Sequence, residues 1–233
     1  MLKAILFNLD GIITNLSTYH YLSWKSVFSH YDVNLDEEFW NEIKDHSRTT
    51  IAKLVLEKNN IEHDNLMIEK ICDEKNDLYK SLIANELSPT NVLPNILNII
   101  AEAKAKDLKV CVISHSKNAK TVIERLGLSK AFDYVCFPKE SDNDGITSLI
   151  GASPISNSIA EFLKISGITG GECIGIESTE EGILEFNLFN IFSVYVSNYS
   201  HEKSLKAKMS FPSVVDLNLN EIIFQYYTVN PNE

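Results

Sequence analysis

The sequence predicts an α/β protein, a doubly wound parallel sheet interrupted by an inserted all-helical cap domain. Three observations carry this. Short apolar runs after about residue 88 alternate with helical segments, which is the pattern of right-handed βαβ units on a parallel sheet. A further apolar run, Ala4-Ile5-Leu6-Phe7, lies at the start of the chain. Between them no strand pattern interrupts the helical periodicity. The expected organisation is therefore a core domain of residues 1–14 and 88–233, with residues 15–87 inserted as a helical cap domain.

The first run reads as a buried strand that stops at Asn8-Leu9-Asp10-Gly11, where polar groups and a glycine turn the chain out of the sheet. Ligands of open parallel sheets bind outside the carboxyl ends of the strands, so Asn8 and Asp10 are expected side by side at the mouth of a site. An amphipathic helix follows over 19–31, with Leu22, Val27 and Phe28 among its apolar positions. Helices are predicted over 37–45, 50–59 and, long and polar, 65–84. Leu87-Ser88-Pro89-Thr90 breaks the chain, and Pro94 opens a helix over 95–106. Strands are expected over 110–113, 134–137, 173–176 and 191–196, and helices over 119–126, 155–165 and 180–188. Residues 139–152 read as an extended loop, and no element is assigned beyond about residue 200.

At 233 residues the chain can bury a real core, and its hydrophobic and charged fractions (44% and 23%) are ordinary for a globular protein. No run approaches ~20 consecutive apolar residues, so no membrane span is expected. The strand pattern begins without a basic segment or cleavage site, so no signal peptide is expected and the cytoplasm is the expected compartment. A net charge of -11 argues against a nucleic-acid partner, which would need a basic face. A monomer is the default expectation. The four cysteines (Cys72, Cys111, Cys136, Cys173) form no CxxC pair, and three lie in predicted strands; they read as small buried hydrophobes in a reducing compartment.

The opening motif resembles the first motif of the haloacid dehalogenase-like phosphotransferases, normally Asp-x-Asp-Gly. The continuation Thr14, His20 and Trp24 is closer to the β-phosphoglucomutase branch. The resemblance implies a carboxylate nucleophile at position 8, which here is Asn8, and an acid/base two residues on, which is Asp10. It places the hydroxyl that holds the transferring phosphate at Ser114. The family lysine precedes the helix at 155–165 as Lys-Pro; here the segment is Ala152-Ser153-Pro154, so Ser153 takes its place, and Lys139 from the long loop is a remote substitute. The resemblance also implies Mg²⁺, held at positions 8, 10, 177 and 178; these are Asn8, Asp10, Glu177 and Ser178, where the family has Glu-Asp for the last two.

Asn8, Ser153 and Ser178 thus remove two anions and one cation from one constellation. A site without those carboxylates has much less hold on Mg²⁺, so the metal is expected to be weakly bound or absent. The far phosphate of a sugar phosphate is gripped in the family by a cap arginine and a Ser-Lys-Asn turn. Arg48 matches the arginine, and Ser116, Lys117 and Asn118 match the turn, with Ser116 expected to cap the helix that follows. Lys44 and His20 match cap and hinge residues that face substrate. Ordinary alternatives exist for each: a solvated helix surface for Arg48 and Lys44, a packed helix-face histidine for His20, a strand-end turn for Ser114.

The expectation is a β-phosphoglucomutase-like protein that binds a sugar phosphate and transfers phosphate poorly or not at all. Two other readings stay open. One is an active mutase or sugar phosphatase with altered chemistry, using Asp10 or Glu177 to activate water. The other is an interaction protein that reuses the fold.

Overall fold

The computed structural model describes residues 1–44, 46–138, 154–197 and 203–230. Two compact units form. Unit 1 comprises Met1–Asn15 and Ser88–Glu233, and unit 2 is Leu16–Leu87.

Unit 1 is built on a six-stranded, wholly parallel sheet: β1 (Ala4–Asn8), β2 (Lys109–Ile113), β3 (Tyr134–Cys136), β4 (Cys173–Glu177), β5 (Phe192–Val196) and β6 (Met209–Phe211), in the order β3-β2-β1-β4-β5-β6. The chain runs outward from β1 to β3, returns to the other side of β1 and runs outward again to β6. The direction of winding therefore reverses between β1 and β4. All five residues of β1 are buried, as befits a strand covered on both faces. Alternation puts Ala4, Leu6, Cys111, Ile113, Cys136 and Cys173 into one core cluster with Ile155, Ile159, Phe162 and Phe186. The last four come from α7 (Pro154–Ser166) and α8 (Glu180–Leu188). α5 (Ile96–Ala105) packs against β2 and α6 (Ala119–Arg125) follows it. The four cysteines are buried, and none is in a disulfide.

Beyond residue 200, where no element was expected, the chain adds β6 and α9 (Leu219–Val229). β6 is three residues long, too short for a period to register. α9 is started by Asn218, whose side-chain oxygen accepts from the Glu221 N–H at 3.1 Å.

Unit 2 is all helical in the described residues: α1 (Ser17–Ser29), α2 (Glu37–Ile43), α3 (Arg48–Lys58) and α4 (Asn65–Glu86). Its core gathers Trp24, Val27 and Phe28 of α1, Trp40 of α2, Val55 and Leu56 of α3 and Ile68 and Ile71 of α4. α3 starts two residues earlier than its apolar period suggests, because the Ser47 hydroxyl accepts from the Thr50 N–H at 3.2 Å and fixes the first turn. Arg48 is thereby the first helical residue. Among the described residues no helix is long and apolar enough to cross a membrane.

Candidate functional site at the strand tips

Three neighbouring strands end together. Asn8 closes β1, Glu177 closes β4, and Ser114 follows the last residue of β2, with Asn8 in register with Ile113. This is the carboxyl edge of the sheet where the winding reverses, the place where open α/β sheets hold ligands. The strand reaches Glu177, one residue past its predicted end, so this side chain is fixed by sheet pairing instead of a loop.

The Asn8 amide nitrogen donates to Glu177 Oε1 at 2.8 Å and to the Asp10 carbonyl at 2.9 Å. Both neighbours are acceptors, so it is the nitrogen that faces them. Glu177 Oε1 also accepts from the backbone N–H groups of Ser178 (2.6 Å) and Thr179 (3.1 Å). Burial is the largest influence on this carboxyl and lifts its pKa to about 7, against the pull of the same N–H donors and the Asn8 amide. The Ser178 hydroxyl donates to the Asp10 carbonyl at 3.4 Å. Two glycines close over the arrangement. Gly11, at φ +85°, turns the chain so tightly that a Cβ would strike the Ser178 hydroxyl, and a Cβ on Gly182 would strike Glu177 Oε2.

Ser114 is buried. Its hydroxyl accepts from the Ser116 N–H at 3.0 Å, and its carbonyl accepts from the Ser158 hydroxyl of α7 at 2.9 Å. Ser158 was not singled out in the sequence; only its place on the inward face of the helix hints at it. The expected cap on α6 is corrected. Ser116 accepts from the Asn118 N–H at 3.2 Å, one step ahead of the helix, while Asn118 holds the N-cap position without a side-chain cap. The chain turns through Ser116 and Asn118 before the helix starts, so the serine is spent on the turn. Lys117 is exposed and Asn118 half-buried. Ser153 and Lys139 lie outside the described residues.

In unit 2, Lys44 is the exposed C-cap of α2, and Arg48 is exposed at the start of α3. His20 is half-buried on α1. Its ring stacks on Tyr79 with centroids 4.5 Å apart, and its Nδ1 stands 2.8 Å from Lys75 Nζ. Lys75 was missed in the sequence. It lies in the buried stripe Ile68, Ile71, Cys72, Lys75, Tyr79 and Ile83 of α4, its amine over the rings of Tyr79 (4.7 Å) and Trp24 (5.5 Å). A cation at that phase of an apolar helical stripe was the available signal. Burial is the main cause that lowers its pKa to about 8.

The sequence profile of the haloacid dehalogenase-like hydrolases matches residues 5–183. The chain belongs to this family. Within the haloacid dehalogenase-like hydrolases it sits in the β-phosphoglucomutase branch. It is 27% identical over 197 residues to the β-phosphoglucomutase of Bacillus subtilis, covering 84% of this chain and 83% of that protein. The crystal structure of β-phosphoglucomutase from Clostridium difficile superposes with a TM-score of 0.81 at 29% identity, covering 100% of both chains. The fructose-1-phosphate phosphatase YqaB of Escherichia coli is 24% identical over 132 residues, covering 57% of this chain and 67% of that protein.

The Mg²⁺ that a haloacid dehalogenase-like motif implies needs hard, anionic oxygens with lone pairs turned inward. The side chains at this strand tip do not fit that demand. The amide nitrogen of Asn8, bearing hydrogens, stands against Glu177 Oε1 and the Asp10 carbonyl. Oε1 is taken by three N–H donors, and Oε2 lies under Gly182. The Ser178 hydroxyl brings no charge. Among the described residues no group of three or more His, Cys, Asp or Glu stands together as a cage.

Proposed function

We propose that this haloacid dehalogenase-like protein binds a sugar phosphate and holds its phosphate at the carboxyl edge of the sheet without accepting the phosphoryl group. The observation that carries this reading is the Asn8 amide bonded to buried Glu177 at 2.8 Å. An amide is neutral, its nitrogen lone pair is delocalised, and here both hydrogens of that nitrogen face acceptors, so no nucleophile stands where the family motif has a carboxylate. What remains suits binding. The Ser114 hydroxyl and the Ser116-Lys117-Asn118 turn offer hydroxyl, ammonium and amide donors to phosphate oxygens. Asp10 keeps a carboxyl that can accept a hydrogen bond from a sugar hydroxyl. Lys44, Arg48 and His20 are assigned to substrate recognition on the strength of the resemblance.

A second reading, a phosphatase that activates water directly, draws on the Glu177 carboxyl, lifted to about 7 and so near the range of a general base. Against it stands the burial of that carboxyl at 1% exposure, with one oxygen accepting three hydrogen bonds and the other lying against Gly182.

Calorimetric titration with hexose mono- and bisphosphates in the presence of a chelator, alongside an assay of product, separates the readings. Binding without turnover is the expected result. Steady release of inorganic phosphate, abolished in Asp10→Ala, supports the phosphatase. No binding of any sugar phosphate contradicts both.

A further inference from the structure

We infer that Asn8 has taken over the cross-linking work of a divalent cation at the strand tips, so that β1 and β4 are tied by an amide clasp and the fold neither requires nor gains from Mg²⁺. The argument is one of hydrogen bonds and charge. Asn8 and Glu177 are the last residues of the two strands between which the winding reverses, and both side chains are buried, at 4% and 1% exposure. At this edge a carboxylate at position 8 would stand against the carboxylate of Glu177. Two like charges at that separation, out of water, demand a proton or a cation between them. The amide removes the demand. Its nitrogen carries two hydrogens, and each has an acceptor: Glu177 Oε1 at 2.8 Å and the Asp10 carbonyl at 2.9 Å. The Asp10 carbonyl further receives the Ser178 hydroxyl at 3.4 Å, so the two residues that depart from the acidic motif converge on one oxygen. The negative charge of Glu177 is met by backbone donors from Ser178 and Thr179 as well as by the amide.

Asn8 and Ser178 thus act together. Each offers hydrogens to oxygens that would otherwise turn toward a cation. Gly11 lets the chain pack down on Ser178, and Gly182 lets α8 pack down on Glu177. Replacing one carboxylate by its amide also leaves the local charge that a single set of N–H donors can neutralise.

The test is thermal unfolding of the full chain with a chelator and with millimolar Mg²⁺ at matched ionic strength, and no sugar phosphate present. Its outcome is therefore separate from that of the binding proposal. Wild type should unfold at the same temperature in both. Asn8→Asp should unfold roughly 5 °C or more below wild type in the chelator and recover most of that loss in Mg²⁺. Asn8→Ala, which removes the clasp without adding charge, should lose stability and regain none of it with Mg²⁺. Direct calorimetric titration of wild type with Mg²⁺, the measurement to use if Asn8→Asp does not fold, should give no saturable heat. The inference is overturned by saturable Mg²⁺ binding to wild type, by a rise of its unfolding temperature in Mg²⁺ that Asn8→Ala lacks, or by Asn8→Asp being as stable as wild type in the chelator.

Discussion

The side chains of Asn8 and Glu177, 169 positions apart in sequence, meet at 2.8 Å across the ends of β1 and β4. The contact joins the first strand of unit 1 to the first strand laid down after the winding reverses. It decides what kind of edge the sheet presents. With an amide there, the carboxylate of Glu177 is held by donors within the protein.

Removing the acceptor is expected to be costly. Glu177→Ala leaves the buried Asn8 amide and the backbone N–H groups of Ser178 and Thr179 without this acceptor, and should destabilise unit 1 by about 3–5 kcal/mol in denaturant unfolding. Glu177→Gln keeps one acceptor oxygen and should cost clearly less. Equal losses for the two variants would mean that packing and not hydrogen bonding dominates at this position.

The two glycines over the site should tolerate no Cβ. Gly11→Ala imposes a side chain at φ +85° and drives it into the Ser178 hydroxyl; Gly182→Ala drives one into Glu177 Oε2. Each should cost about 1–3 kcal/mol, read as a shift of the unfolding midpoint at unchanged slope. Gly167, which also has positive φ but open space around it, is the control, and Gly167→Ala should show the backbone part of the loss alone.

Lys75 gives the helical unit a pH signature. Its amine is shifted down to about 8, below the 10.5 of an unhindered lysine, chiefly by burial. Between those values the unfolded chain binds a proton that the folded chain does not, so stability rises with pH across the window. Below pH 8 the folded state carries the whole cost of ionising a buried amine, on the order of 3 kcal/mol. The stability difference between wild type and Lys75→Met should therefore shrink from pH 7 to pH 10, with the variant the more stable at pH 7. A difference that stays constant over that range would show that the amine does not titrate there.

Recognition of the ligand should respond to charge in each unit separately. Arg48→Ala and Lys117→Ala each remove an exposed cation whose loss leaves the core of its own unit intact. Each should weaken sugar phosphate binding by about tenfold, the effect of one charge-assisted contact, while leaving the unfolding temperature unchanged. Affinity unchanged in both variants would remove these residues from the site.

Much of this arrangement was legible beforehand. The βαβ alternation announced the sheet, and the Asn8-Leu9-Asp10-Gly11 break announced where β1 ends. The contact between Asn8 and Glu177 was not legible, because a pairing between distant strand ends leaves no local period. The motif comparison put the two positions on one metal site, but only the geometry shows the amide nitrogen turned toward the carboxylate. Lys75 escaped because a long helix with many polar residues hides one buried cation, and the Lys75–His20 contact crosses between helices. Ser116 was expected to cap the helix, and its hydroxyl instead accepts within the turn before it, a shift of one hydrogen bond that residue identity does not determine. β6 is too short to leave a period, whereas α9 carries one of its own, with Leu219, Ile222, Ile223 and Tyr226 at helical spacing behind the Asn218 cap, where no element was expected.

The most direct measurement is turnover of β-glucose 1-phosphate in Mg²⁺ by wild type and by the variant combining Asn8→Asp, Ser153→Lys and Ser178→Asp. The account predicts that wild type binds the sugar phosphate but yields no glucose 6-phosphate above background, and that the combined variant gains activity. Wild-type conversion at a rate near that of the combined variant would contradict it.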